Sequence, residues 1–186
     1  TLSLPEVLRY IGGSAFNSCG FSGNLVLPNS WEYIGYSGFY SAGNFVGSLT
    51  IPEKVPCIYD MTFENTGFTG QLNLSNVQKL ENASFSRTNF TGELILPEGI
   101  TEVPYSCFDS GNFTSVVLPS TIKVIGEYSF RDCSRLMNVN FPEGLMVIRS
   151  EAFAYCPTLQ KLELPSTLQT IQSSAFENCY GISSII

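Results

Sequence analysis

Among 186 residues there is no histidine, only 9 lysines and arginines, and no Cys-x-x-Cys pair despite 6 cysteines. Without histidine there is no Ser/His/Asp triad, no Cys/His dyad, no imidazole base and no histidine-containing zinc site. Charged residues make up 13%, about half the usual share, against an ordinary 44% of apolar residues. That balance excludes a disordered chain. The net charge of −7 argues against nucleic acid or an anionic membrane as partner, since both require a basic footprint. No apolar run is long enough to cross a bilayer, and no signal-peptide pattern follows Thr1. The segments LSLP at 2–5 and ISSII at 182–186 each interrupt a repeated pattern, which predicts a piece of a longer protein.

What the sequence does have is a repeat. Phe16, Phe39, Phe63, Phe85, Phe108, Phe130, Phe153 and Phe176 recur at steps of 22 to 24 residues. Five residues before each stands Ile11, Ile34, Ile58, Leu80, Val103, Ile125, Ile148 or Ile171. Three further back stands Leu8, Trp31, Val55, Val77, Ile100, Ile122, Leu145 or Leu168. A second aromatic column, Phe21, Phe45, Phe68, Phe90 and Phe113, continues as Leu136, Leu159 and Ile182. Paired residues in a Leu-x-Leu style follow, from Leu2/Leu4 to Leu162/Leu164, and seven of these eight pairs run directly into proline; Leu74-Ser75 is the exception. With Phe141 in the Leu-x-Leu column, all 14 phenylalanines fall in repeat positions.

A coil of about 23 residues cannot bury its apolar face alone. Half a dozen core side chains contribute roughly 1.5–3 kcal/mol each, against an ordering cost of roughly 1.5 kcal/mol per residue. Stacked coils cover one another, and the Leu-x-Leu segments align as a parallel sheet about 38 Å wide at about 4.8 Å per strand. The proline after each pair ends the strand by removing a donor. The residue before each main phenylalanine is always small (Ala15, Gly38, Thr62, Ser84, Cys107, Ser129, Ala152, Ala175), which predicts a tightly wound corner, a short helical turn or an irregular one, opposite the sheet.

Segments such as IGEYSFRDCSRLMNVNFP (125–142) and IRSEAFAYCPTLQKLELP (148–165) resemble leucine-rich repeats of the BspA-like type, found in bacterial surface proteins and some protists. The resemblance covers the whole chain. It implies an α/β leucine-rich-repeat solenoid, mostly β, with a parallel sheet on the concave face and short helical or irregular turns on the other side. The expected domain is one unit of about eight coils over 1–186. The resemblance also implies a secreted, extracellular or cell-surface protein used in adhesion or other protein contacts. One departure is that the first five copies carry a variant, as in GFSGNLVLP (20–28) and GFTGQLNLS (67–75), where the last three have CSRL, CPTL and CYGI.

Chemistry-bearing residues mostly follow the repeat. Cys19, Cys133, Cys156 and Cys179 share a column with Ala42, Thr66, Thr88 and Gly111, so the position calls for a small buried group, and free thiols are expected. Glu6, Glu53, Glu98 and Glu143 fall at the turn after proline. Asp60 with Glu81, and Asp109 with Asp132, lie in neighbouring coils but match no calcium loop. No phosphate-binding, nucleophile-elbow or dinucleotide motif occurs. An enzyme is not expected, nor any catalytic residue, cofactor or metal.

The surface to examine is therefore the outward column of the sheet: Ser3, Val26, Thr50, Asn73, Ile95, Val117, Asn140 and Glu163. A second outward column, Thr1, Asn24, Ser48, Gln71, Glu93, Ser115, Asn138 and Lys161, flanks it. Apolar groups among amides and hydroxyls suit a protein partner, though β-branched residues also favour strands on their own account. Tyr10, Tyr33, Tyr36, Tyr105 and Tyr128 form a second candidate surface, where carbohydrate is the alternative ligand. Sequons occur at Asn73, Asn82, Asn89 and Asn112; glycosylation at Asn73 would block the concave face. A structural spacer displaying another domain is the alternative to a binding module.

Overall fold

The structure, a computed structural model, describes residues 2–185. Thr1, assigned to the second outward column, lies outside them, as does Ile186 of the last segment. The described chain winds into a β-solenoid of about eight coils whose strands are short and all pair in parallel. Its core is the pair of phenylalanine columns. Rings of the main column stack face to face from coil to coil, with centroids 5.5 Å apart and planes within 7° for Phe39–Phe63 and 5.4 Å and 2° for Phe153–Phe176. The second column stacks beside it, 5.4 Å for Phe45–Phe68 and 5.1 Å for Phe68–Phe90. Within a coil the two rings meet edge to face, as in Phe63–Phe68 at 6.3 Å and 72°. Offset stacking in one direction and T-shaped contact in the other satisfy the ring quadrupoles at once. Only the end rings Phe16, Phe21 and Phe176 are less than buried.

The Leu-x-Leu strands form the expected parallel ladder, but in pieces: Leu49–Thr50 with Leu72–Asn73, then Thr91–Ile95, Asn112–Val117 and Asn138–Asn140 together, then Lys161–Leu162 with Ser184–Ile185. Register is kept column to column, Leu94 on Val116 on Val139. Thr114 is an extra residue between Phe113 and Ser115, where the pairing shifts. Two further ladders accompany it. The Ile or Val five residues before the main phenylalanine and the residue preceding it form one, including the four strands Glu102–Val103, Val124–Ile125, Val147–Ile148 and Thr170–Ile171. A short pairing around the second phenylalanine column forms the other, Ser22–Asn24 beside Asn44–Val46, with Gly23 opposite Phe45.

The corner opposite the Leu-x-Leu sheet is irregular, and no helix occurs among the described residues. A helical turn is therefore not what the small residues encode. Around each main phenylalanine, alternate amides bond in different directions. Ser37, Phe39 and Ser41 donate to Asp60, Thr62 and Glu64 of the next coil. Gly38, Tyr40 and Ala42 donate three residues back within their own coil. Half the donors thus leave the coil, which an α-helix with its i→i−4 bonds cannot allow. The alternation places two residues per coil, two before and two after the main phenylalanine, at left-handed φ, from Ser14 (57°) to Asn178 (57°). None of these sixteen positions is glycine. The strain of about 1–2 kcal/mol at each is held by the inter-coil bonds on either side.

Candidate functional site

Each outward residue of the Leu-x-Leu column projects because its two neighbours turn in. Leu25 and Leu27 are 3% and 7% exposed, whereas Val26 between them is 77% exposed; Leu94 and Leu96 are buried around Ile95, which is 55% exposed. Thr50, Asn73, Asn140 and Glu163 are exposed and Val117 is half-buried. The column is therefore one continuous face, as the period-2 pattern predicts. Shallow grooves run along it. One is lined by Val26, Ser48, Thr50, Glu53, Lys54 and Asn76 among others, and a second of about 530 Å³ by Gln71, Asn73, Ser75, Glu93, Ile95 and Pro97 with the adjoining leucines.

The polar members of the face are not equally free. Asn73 Oδ1 accepts from the amide of Ser75 at 3.0 Å, so in the one coil without proline a side chain caps the donor that proline would have removed. Asn140 clamps the neighbouring strand, its Oδ1 accepting from Leu118 N at 2.6 Å and its Nδ2 donating to Leu118 O at 3.2 Å. Glu163 pairs with Lys161. The two asparagines serve the scaffold, a role the outward pattern alone did not reveal. Val26, Thr50, Ile95 and Val117 make no such contact.

The tyrosines fall into two groups along the coils. Tyr10 donates to Glu32 at 2.8 Å, Tyr33 packs on Tyr59 at 5.1 Å, and the space beside Gly13 is taken by the Tyr36 ring. Tyr105 and Tyr128 meet edge to face at 5.5 Å further along. Between the two groups lies the exposed ion pair Lys79–Glu81 at 2.6 Å.

All six cysteines are unbridged. Burial pushes the Cys107 and Cys133 thiols up to about 12, so neither is a nucleophile at neutral pH. Cys133, Cys156 and Cys179 donate to the carbonyls of Phe108, Phe130 and Phe153. The turn carboxylates act between coils: Glu98 accepts from the amide and hydroxyl of Ser120 at 3.0 and 2.9 Å, and Glu143 does the same with Ser166 at 3.0 Å each. Those donors hold both carboxyls below the usual range. Asp60 is spent on the amide of Asn82 at 2.8 Å. Asp109 is raised by burial, with Arg131 and Arg87 opposing. Among the described residues no three acidic or cysteine side chains gather as a metal site.

Parallel coils of 22 to 24 residues with aligned Leu-x-Leu strands define a leucine-rich-repeat solenoid. The chain belongs to the BspA type leucine rich repeat family, whose model matches residues 1–110 and 101–186. Its fold is similar to that of a leucine rich cell surface protein from Faecalibacterium prausnitzii A2-165, at 18% identity and a TM-score of 0.58; the match covers 94% of this chain and 56% of that protein's length. A leucine-rich repeat protein from Eubacterium ventriosum ATCC 27560 also matches, at 18% identity and a TM-score of 0.53, over 93% of this chain and 68% of the other. No curated protein matches.

Proposed function

We propose that this chain is a non-enzymatic interaction module of an extracellular or cell-surface protein, and that it binds a protein partner through the outward Leu-x-Leu face. The observation carrying this reading is the row of unengaged side chains Val26, Thr50, Ile95 and Val117 along a face with shallow grooves. Exposed apolar groups among hydroxyls and amides release water at little desolvation cost, and such a mixed surface suits a protein partner. Family membership supports the setting, and the Faecalibacterium neighbour is described as a cell surface protein.

The test is adhesion of beads coated with the chain to a panel of immobilised extracellular proteins and cell ectodomains. Binding should be lost in Ile95→Lys/Val117→Lys, with the unfolding transition unchanged. Binding retained by that variant moves the site elsewhere, and no binding across the panel favours the spacer reading.

A further inference from the structure

A second site lies on the turn side of the last three coils. Asp132, Ser134, Tyr155, Pro157, Asn178 and Tyr180 line a pocket of about 270 Å³. They occupy two repeat columns, two and four residues after the main phenylalanine. Elsewhere those columns hold Ser18, Ser41, Asn65, Arg87 and Ser110, and Gly20, Gly43, Gly67, Asn89 and Asn112. The aromatic and imino rings are therefore specific to this end of the molecule and are not a consequence of the repeat. Tyr180 is 81% exposed and Tyr155 41%, a large aromatic area left in water next to a carboxylate, an amide and a hydroxyl.

Several contacts fix the rings. The left-handed φ of Asp132 (57°), Tyr155 (62°) and Asn178 (57°) sets the direction of one column. The Arg131 guanidinium lies 5.8 Å from the Tyr155 ring centre and 5.2 Å from that of Tyr128, holding Tyr155 by cation–π attraction. The Tyr180 hydroxyl donates to Asn178 Oδ1, which leaves the Asn178 amide N–H groups free to donate outward.

We infer that this pocket binds a neutral pyranose unit of an oligosaccharide. The C–H face of a sugar ring stacks on tyrosine, while its hydroxyls need both acceptors and donors at the rim. Asp132 supplies the first, Asn178 the second and Ser134 either. A chain of net charge −7 with Asp132 in the pocket wall disfavours an anionic ligand.

The test is saturation-transfer NMR on the whole chain with maltotetraose, cellotetraose, mannotetraose and chitotetraose. At least one should receive saturation at its ring protons. Loss of one stacking ring weakens binding about tenfold, so Tyr180→Ala should raise Kd by that factor. Asp132→Asn should raise it several-fold, and Ile95→Lys on the opposite sheet should leave it unchanged. The inference is overturned if none of the four binds at about 10 mM, a concentration that would reveal even millimolar affinity, or if Tyr180→Ala binds as tightly as the parent. Because Tyr180 is so exposed, its replacement leaves the fold intact and the outcome readable.

Discussion

The coils up to Phe113 and the three that follow share the main phenylalanine column but fill the space beside it differently. In the first region a second phenylalanine stands edge-on to the first, as Phe108–Phe113 do at 5.9 Å. In the last region Leu136 and Leu159 take that place, and the edge contact to Phe153 comes instead from Phe141 of the Leu-x-Leu strand, at 5.6 Å and 82°. Backbone pairing differs in step. The first region has the extra Ser22–Asn24 and Asn44–Val46 ladder, and its second one is in two-stranded pieces until Glu102–Val103, from which that ladder runs unbroken over four strands through all three of the last coils. The shared column of small residues switches partners too. Thr66 and Thr88 donate to Phe63 and Phe85 of their own coil, at 2.7 and 2.9 Å, while the three cysteines reach back to the preceding coil. One stacking rule, the ring ladder, thus tolerates two ways of closing a coil.

The largest effect is expected at what the two regions share. Phe85→Ala removes a fully buried ring that stacks on Phe63 and Phe108 and should cost about 3–5 kcal/mol in denaturant unfolding. The same change at the half-buried Phe16 should cost clearly less. The next effect tests what separates them. Leu136→Phe imposes the first region's second ring on a fully buried site and should destabilise by about 1–3 kcal/mol through overpacking. A neutral result would mean that the two fillings are interchangeable.

A glycine device is confined to the first region. Gly23, Gly47 and Gly92, each two residues after a second-column phenylalanine, sit at φ of 88°, 81° and 81°. Nothing lies closer than 3.8 Å to a Cβ at Gly92, so Gly92→Ala isolates the backbone cost. Loss of about 1–2 kcal/mol is expected.

The smallest effect concerns pH. Glu98 and Glu143, one in each region, have carboxyls lowered by their serine partners, so their stabilisation is present above the ordinary carboxylate range and is lost as pH falls through the lowered folded values. Glu64 and Asp109, raised by burial, act in the opposite sense: their contribution grows as pH falls from above the raised folded values to the ordinary ones. Replacing Glu98 and Glu143 by Gln should therefore make the acid side of the stability profile shallower. An unchanged profile would show that the Glu–Ser links carry no stability.

The coil number, both phenylalanine columns and the outward face were legible in the sequence because they rest on hydrophobic period and on residue-by-residue recurrence. The Val26 and Ile95 projections follow from alternation alone. The corner was not legible as an irregular turn. Small residues such as Gly38 and Ser84 fit a tight helix equally well, and the deciding inter-coil bonds are backbone contacts with no side-chain signature. Sixteen left-handed residues, among them Met61, Tyr128 and Glu151, carry no glycine to announce them. The second ladder hid for a related reason, since two-residue strands such as Glu102–Val103 are too short to show alternation. Asn140 was placed on the correct face, yet its clamp on Leu118 depends on the register between coils. The Tyr155–Tyr180 pocket needed the stacking of three coils, although the absence of aromatics from the same columns elsewhere is a signal the sequence contained.

The central structural claim is that one ring ladder runs unbroken through both regions. Native-state hydrogen exchange at the amides of Phe85, Phe108 and Phe130 tests it directly, since each donates to the next coil, at 3.0, 2.8 and 2.8 Å, and together they cross the boundary. Equal protection at all three and a common response to denaturant are expected, because coils couple to their nearest neighbours. A step in protection between Phe108 and Phe130, with the two regions opening separately, would contradict it.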